Sequence, residues 1–202
     1  RCSSGDIVDS RTEYEYGDGV LILTPMAENA VRVQFEKEHK YDLPEWTYMS
    51  NDVCRASNMR VSIDAENGVV NFYDAKKNLL TSVSLHELVA TTVQGQEAYK
   101  ATISFANDPD EYFTGLGQFQ DGLGNLRGVS RRLTQVNTQI SIPFLLSNKG
   151  YGLLWNNYGM TEYNPSDWSI EMQPIGGEDV AEVVNVTSTE GSKKEVRQRN
   201  LF

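Results

Sequence analysis

Residues Met59–Leu80 read MRVSIDAENGVVNFYDAKKNLL, and this stretch decides the fold class. Met59, Val61 and Ile63 alternate with Arg60, Ser62 and Asp64, so an extended chain here has one apolar side and one wet side. "ENG" at Glu66–Gly68 and "AKKN" at Ala75–Asn78 are tight-turn signals that fold the chain straight back on itself. The same alternation appears in "VRVQFE", where Val31, Val33 and Phe35 oppose Arg32, Gln34 and Glu36. It appears again in "KATISFA", where Ala101, Ile103 and Phe105 share a face. Further turn signals stand at "GDG" (Gly17–Gly19) and "NKG" (Asn148–Gly150), and no window carries a sustained helical stripe with caps. The expectation is an all-β, antiparallel β-sandwich.

The chain has 202 residues, 39% of them hydrophobic, enough to bury a substantial core in one large domain. A net charge of −10 and a pI near 4.7 argue against nucleic acid or an anionic membrane surface as partner, since long-range repulsion opposes both. No apolar run is long enough to span a bilayer. Cys2 and Cys54 lack metal-ligand spacing, and only His39 and His86 could supply imidazole, so no metal site and no cofactor are expected. "RCSSG" at the start is compatible with what remains after a bacterial lipoprotein signal, with Cys2 acylated. The expected location is periplasmic or cell-surface.

Two segments depart from the strand pattern. Lys37–Ala56, with mixed charge, proline and aromatics, reads as a long connection. In Thr114–Thr138 the glycines at 115, 117, 122, 124 and 128 are expected to interrupt any strand and to form a surface loop of the kind that carries function. "GLGQ" and "GLGN" lack the following helix and lysine of a phosphate cradle. Neither histidine sits in a nucleophile motif, and the acidic residues of "NDPDEYF" and "GGEDVAE" read as solvated loop charges. No catalytic residue is assigned.

Gln135–Asn157, QVNTQISIPFLLSNKGYGLLWNN, reads as two apolar strands joined at Asn148-Lys149-Gly150. Its start is rich in amides and hydroxyls (Gln135, Asn137, Thr138, Gln139), and its end carries Trp155, Asn156 and Asn157. Aromatic faces with amide donors and acceptors suit sugars. On the residues alone the alternative stays open, with Trp155 in the core and the asparagines as turn formers.

"EYFTGLGQFQDG" (Glu111–Gly122) and "LTQVNTQISIPFLLSNKGYGLLWNNYGMTEYN" (Leu133–Asn164) closely resemble the amino-terminal β-sandwich domain of glycoside hydrolase family 31, in its bacterial α-xylosidase and α-glucosidase branch. "DGVLILTP", "NAVRVQF" and "GVVNFYDAKKNLL" fit the earlier strands of that domain. The resemblance implies a galactose-mutarotase-like supersandwich placed before a catalytic (β/α)8 barrel on the same polypeptide, which houses the two aspartates of a retaining mechanism. It implies an oligosaccharide as the parent enzyme's substrate and no hydrolysis by these residues alone. It also implies that the loop from Gln118 to Gln139 helps shape the substrate pocket, with Gln118, Asn137, Thr138 and Gln139 as substrate-binding candidates. Many relatives carry an acidic residue where this chain has Gln139, so a charged contact there is not implied. Trp155, Asn156 and Asn157 become candidates for packing against the barrel. The expected division is a sandwich domain at 1–174 and a polar tail or start of a connection at 175–202. The rival reading is a free-standing carbohydrate-binding sandwich.

Overall fold

The computed structural model describes residues 5–37, 55–157, 159–165, 169–173, 181–187 and 196–200. The long connection expected at Lys37–Ala56, together with Cys2, Cys54 and His39, lies almost entirely outside them. All regular structure among the described residues is β-strand, as the alternating pattern requires. The backbone groups into two compact units, Arg1–Asp110 and Glu111–Phe202.

The first unit holds β1 (Asp6–Val8), β2 (Thr12–Tyr16), β3 (Gly19–Ala27), β4 (Ala30–Glu36), β5 (Ala56–Asp64), β6 (Val69–Asp74), β7 (Leu79–Val93) and β8 (Gln96–Phe105). β2, β3 and β4 form one antiparallel sheet, and β1-β5-β6-β7-β8 form the other. One core cluster joins the two layers: Leu21 and Leu23 from β3 meet Val8, Ala56, Val61 and Val70 from the five-stranded sheet. Each buried valine or leucine among them contributes about 2 kcal/mol. The faces read from the sequence are the ones that pack: Val31 and Val33 on one side, Met59, Val61 and Ile63 on the other. Phe35 closes against the Tyr16 ring edge-on at 5.9 Å.

The turns form as their side chains dictate. The Asp64 carboxylate accepts the backbone N–H and side-chain amide of Asn67, and Asp74 does the same for Asn78. These bonds hold both carboxyls below their ordinary value of 3.8.

The second unit holds β9 (Phe113–Gln118), β10 (Arg131–Leu133), β11 (Ile140–Ser147), β12 (Gly152–Leu154), β13 (Thr161–Tyr163), β14 (Ser169–Gln173), β15 (Ala181–Thr187) and β16 (Val196–Asn200). β12-β11-β9 form one sheet, β10 pairs with β13, and β14-β15-β16 form a third. β15 and β16 fall in the stretch expected as polar tail. The valines at 183, 184, 186 and 196 supply the β-branched residues that polar neighbours hide from a compositional reading.

The glycines of "GLG" do not interrupt a strand, contrary to expectation. β9 runs through Gly115 and Gly117, both at positive φ (115° and 99°), and Leu116 between them is also positive at 61°. A Cβ on Gly117 would stand 2.1 Å from the Ile140 carbonyl oxygen, and one on Gly115 2.4 Å from that of Phe144. Glycine is required because β9 and β11 cross in contact where their register shifts between Ser141 and Leu145.

Candidate functional site

The expected hairpin is present: β11 and β12 pair antiparallel around the turn at Asn148–Gly150, with Phe144 opposite Leu154 and Leu146 opposite Gly152. Of its apolar residues only Leu145 and Tyr151 pack on a core cluster. Leu145 packs on the cluster of Phe113, Leu116 and Leu126, while Ile142 (50%), Phe144 (37%), Leu146 (46%) and Leu154 (57%) remain exposed.

The polar start of the hairpin is a small structure of its own. Val136 and Gln139 exchange backbone hydrogen bonds of 3.3 and 3.2 Å, so Asn137 and Thr138 form a two-residue tip, both exposed. The Gln139 amide donates to the Thr134 carbonyl at 2.7 Å, and the Gln135 side-chain carbonyl accepts the Ser141 N–H at 3.2 Å. Thus Gln139, half-buried, commits its amide nitrogen to holding the tip. Ile140 lies directly opposite Gln118 across the β9–β11 pair. The structure therefore brings all four substrate-binding candidates, Gln118, Asn137, Thr138 and Gln139, to one end of one sheet.

The rest of the loop is pinned from inside. Leu126 is buried, its N–H donates to the Phe113 carbonyl at 2.8 Å, and its own carbonyl accepts the Tyr163 hydroxyl at 3.2 Å. Asn125 accepts the N–H groups of Phe113 and Arg127 at 3.2 and 3.0 Å. Arg131 lies over the Phe119 ring at 4.2 Å and pairs with Asp121, whose other oxygen accepts the Leu123 N–H. The Leu123 bond, then the Arg131 charge, holds the Asp121 carboxyl below 3.8, while burial raises the Tyr163 phenol above its ordinary 10.0.

Beneath the hairpin sits a residue misread from the sequence. Glu111, expected as a solvated loop charge in "NDPDEYF", is only 2% exposed. Its Oε1 accepts the hydroxyls of Ser147 and of Tyr151, the latter at 2.6 Å, and its carbonyl accepts from Arg127 at 3.0 Å. A carboxylate so enclosed serves as an anchor between β9 and the β11–β12 turn. The available signal was its place two residues before the buried Phe113 that opens β9.

Trp155 continues the β11–β12 pairing, its N–H donating to the Pro143 carbonyl at 2.9 Å and its indole N–H to Thr161 at 3.1 Å. Asn157 accepts the Gly159 N–H at 2.6 Å in a turn, and Asn156 is exposed. His86 falls within β7. Among the described residues no group of three or more His, Cys, Asp or Glu side chains could hold a metal, and no helix is long and apolar enough to cross a membrane.

The family described as "Glycosyl hydrolase 31 N-terminal galactose mutarotase-like domain" matches residues 20–164. The chain belongs to this family. An uncharacterized family 31 glucosidase of Pseudescherichia vulneris is 26% identical over 78% of the chain and 37% of its own length. An α-xylosidase of Saccharolobus solfataricus is 31% identical over 52% of the chain and 15% of its own length. Among solved structures, the family 31 α-xylosidase of Xanthomonas citri superposes over the whole chain with a TM-score of 0.65 at 18% identity, the chain covering 24% of it. A family 31 α-xylosidase from a soil metagenome, complexed with xylose, gives 0.59 over 79% of the chain at 22% identity. The chain thus spans little more than a third, at most, of these relatives.

Proposed function

We propose that the chain is the non-catalytic N-terminal domain of a retaining α-glycosidase, an α-xylosidase or α-glucosidase acting on plant or dietary oligosaccharides. In this reading the tip at Asn137–Thr138 reaches the substrate pocket, and the apolar side of β11 and β12 docks on the catalytic barrel. The observation that carries it is the stapled tip. The side chains of Gln135 and Gln139 are spent on the loop itself, which leaves Asn137 and Thr138 presented on a braced support with donors and acceptors free of bonds to described residues. Such preorganisation is what a ligand-facing loop needs and an idle turn does not.

The exposed row Ile142, Phe144, Leu146 with Leu154 supports the docking half of the reading. Apolar side chains contiguous on one sheet are an interface feature. The chain alone is then inert towards aryl α-xylosides and α-glucosides. Turnover by the purified chain, surviving further purification and abolished by no change in a contaminant, would refute the non-catalytic role.

A further inference from the structure

The first unit contains a second feature that the loop reading does not use. β2 edges the three-stranded sheet and β1 edges the five-stranded one, and along this side the two layers leave a cavity of about 240 Å³. β1 pairs with β5 only as far as Val61, so from Ser62 onward that edge of β5 has no strand beside it among the described residues. The floor is apolar, from Val8, Leu23 and Val61, and the rim is polar. Asp6, Asp9, Ser10 and Thr12 place two carboxylates and two hydroxyls around it, with Tyr14 as an aromatic wall, whereas the Ser62 hydroxyl is engaged with Tyr73 and Asn71 on the other face of β5. Tyr14 shares a face of β2 with Tyr16, which packs on the core, so its ring belongs to the side between the layers.

We propose that this cavity is a binding site for a neutral pyranose unit. Carboxylates accept paired sugar hydroxyls strongly, hydroxyl side chains both donate and accept, and an aromatic wall over an aliphatic floor matches the C–H faces of a sugar ring. Neither Asp6 nor Asp9 bonds to a described residue, so both carboxylates retain their acceptor capacity. A bare ammonium group would use the carboxylates and leave the two hydroxyls and most of the volume idle. The site shares no residue with the 118–139 loop and stands or falls independently of it.

The test is an NMR titration of the isotope-labelled chain with methyl α-D-xylopyranoside and methyl α-D-glucopyranoside, with methylammonium as a parallel probe. The expected result is saturable shifts confined to amides of residues 6–14 and 61–63. Tyr14→Ala and Asp9→Asn should each weaken binding about tenfold, and Tyr14→Phe should retain it. No saturable response to either glycoside, a response unaltered in Tyr14→Ala and Asp9→Asn that keep the wild-type spectrum elsewhere, or saturation by methylammonium alone would overturn the proposal.

Discussion

Glu111 ties the start of β9 to the hairpin turn through two hydroxyl donors in a setting closed to water. Glu111→Ala should therefore destabilise the chain by about 3 kcal/mol, because Ser147 and Tyr151 lose their shared acceptor in a buried setting and water does not replace it freely. Urea unfolding measures this, and a loss below about 1 kcal/mol would show that the carboxylate is not the anchor. Gly117→Ala is expected to cost about 3 kcal/mol or more, combining positive φ with a Cβ placed on the Ile140 carbonyl. Ala at Gly124, where φ is not in the positive range and a Cβ meets nothing within 4 Å, is the matched control and should be near neutral.

The loop between β9 and β10 depends on charge as well as on packing. Asp121 has a depressed folded pKa, so its contribution is fully present above its ordinary 3.8 and is lost as pH falls through the folded value. Asp121→Asn should lower Tm at neutral pH, and its gap to the wild type should close as pH falls below the ordinary 3.8 and through the lowered folded value. A gap independent of pH would mean that the Leu123 and Arg131 contacts do not depend on ionisation. The elements also show what sequence could and could not reveal. The period-two faces of β4 and β5 were legible because one side of each packs on the core and the other meets water. β9 was not legible, since its glycines serve a close crossing with β11 that is visible only when both strands are in place. The tip at Asn137–Thr138 could be located by its polar run, whereas the stapling by Gln135 and Gln139 depends on a fold-back that no spacing encodes.

For the molecule as a whole, an uncovered apolar row on β11 and β12 should make the isolated chain self-associate as concentration rises. Ile142→Glu combined with Leu146→Glu should keep it monomeric in light scattering with the fold retained, since both side chains are exposed and neither belongs to the core cluster. A wild-type chain monomeric at high concentration would count against a docking face. The most direct test of the proposed substrate-facing role of this loop is made in the proposed parent enzyme, comparing wild type with an Asn137→Ala, Thr138→Ala double variant over α-glycosides that differ only in leaving group. The account predicts a fall of about tenfold in kcat/KM for some leaving groups and little change for others, with Tm unaltered. Identical kcat/KM on every leaving group would contradict it.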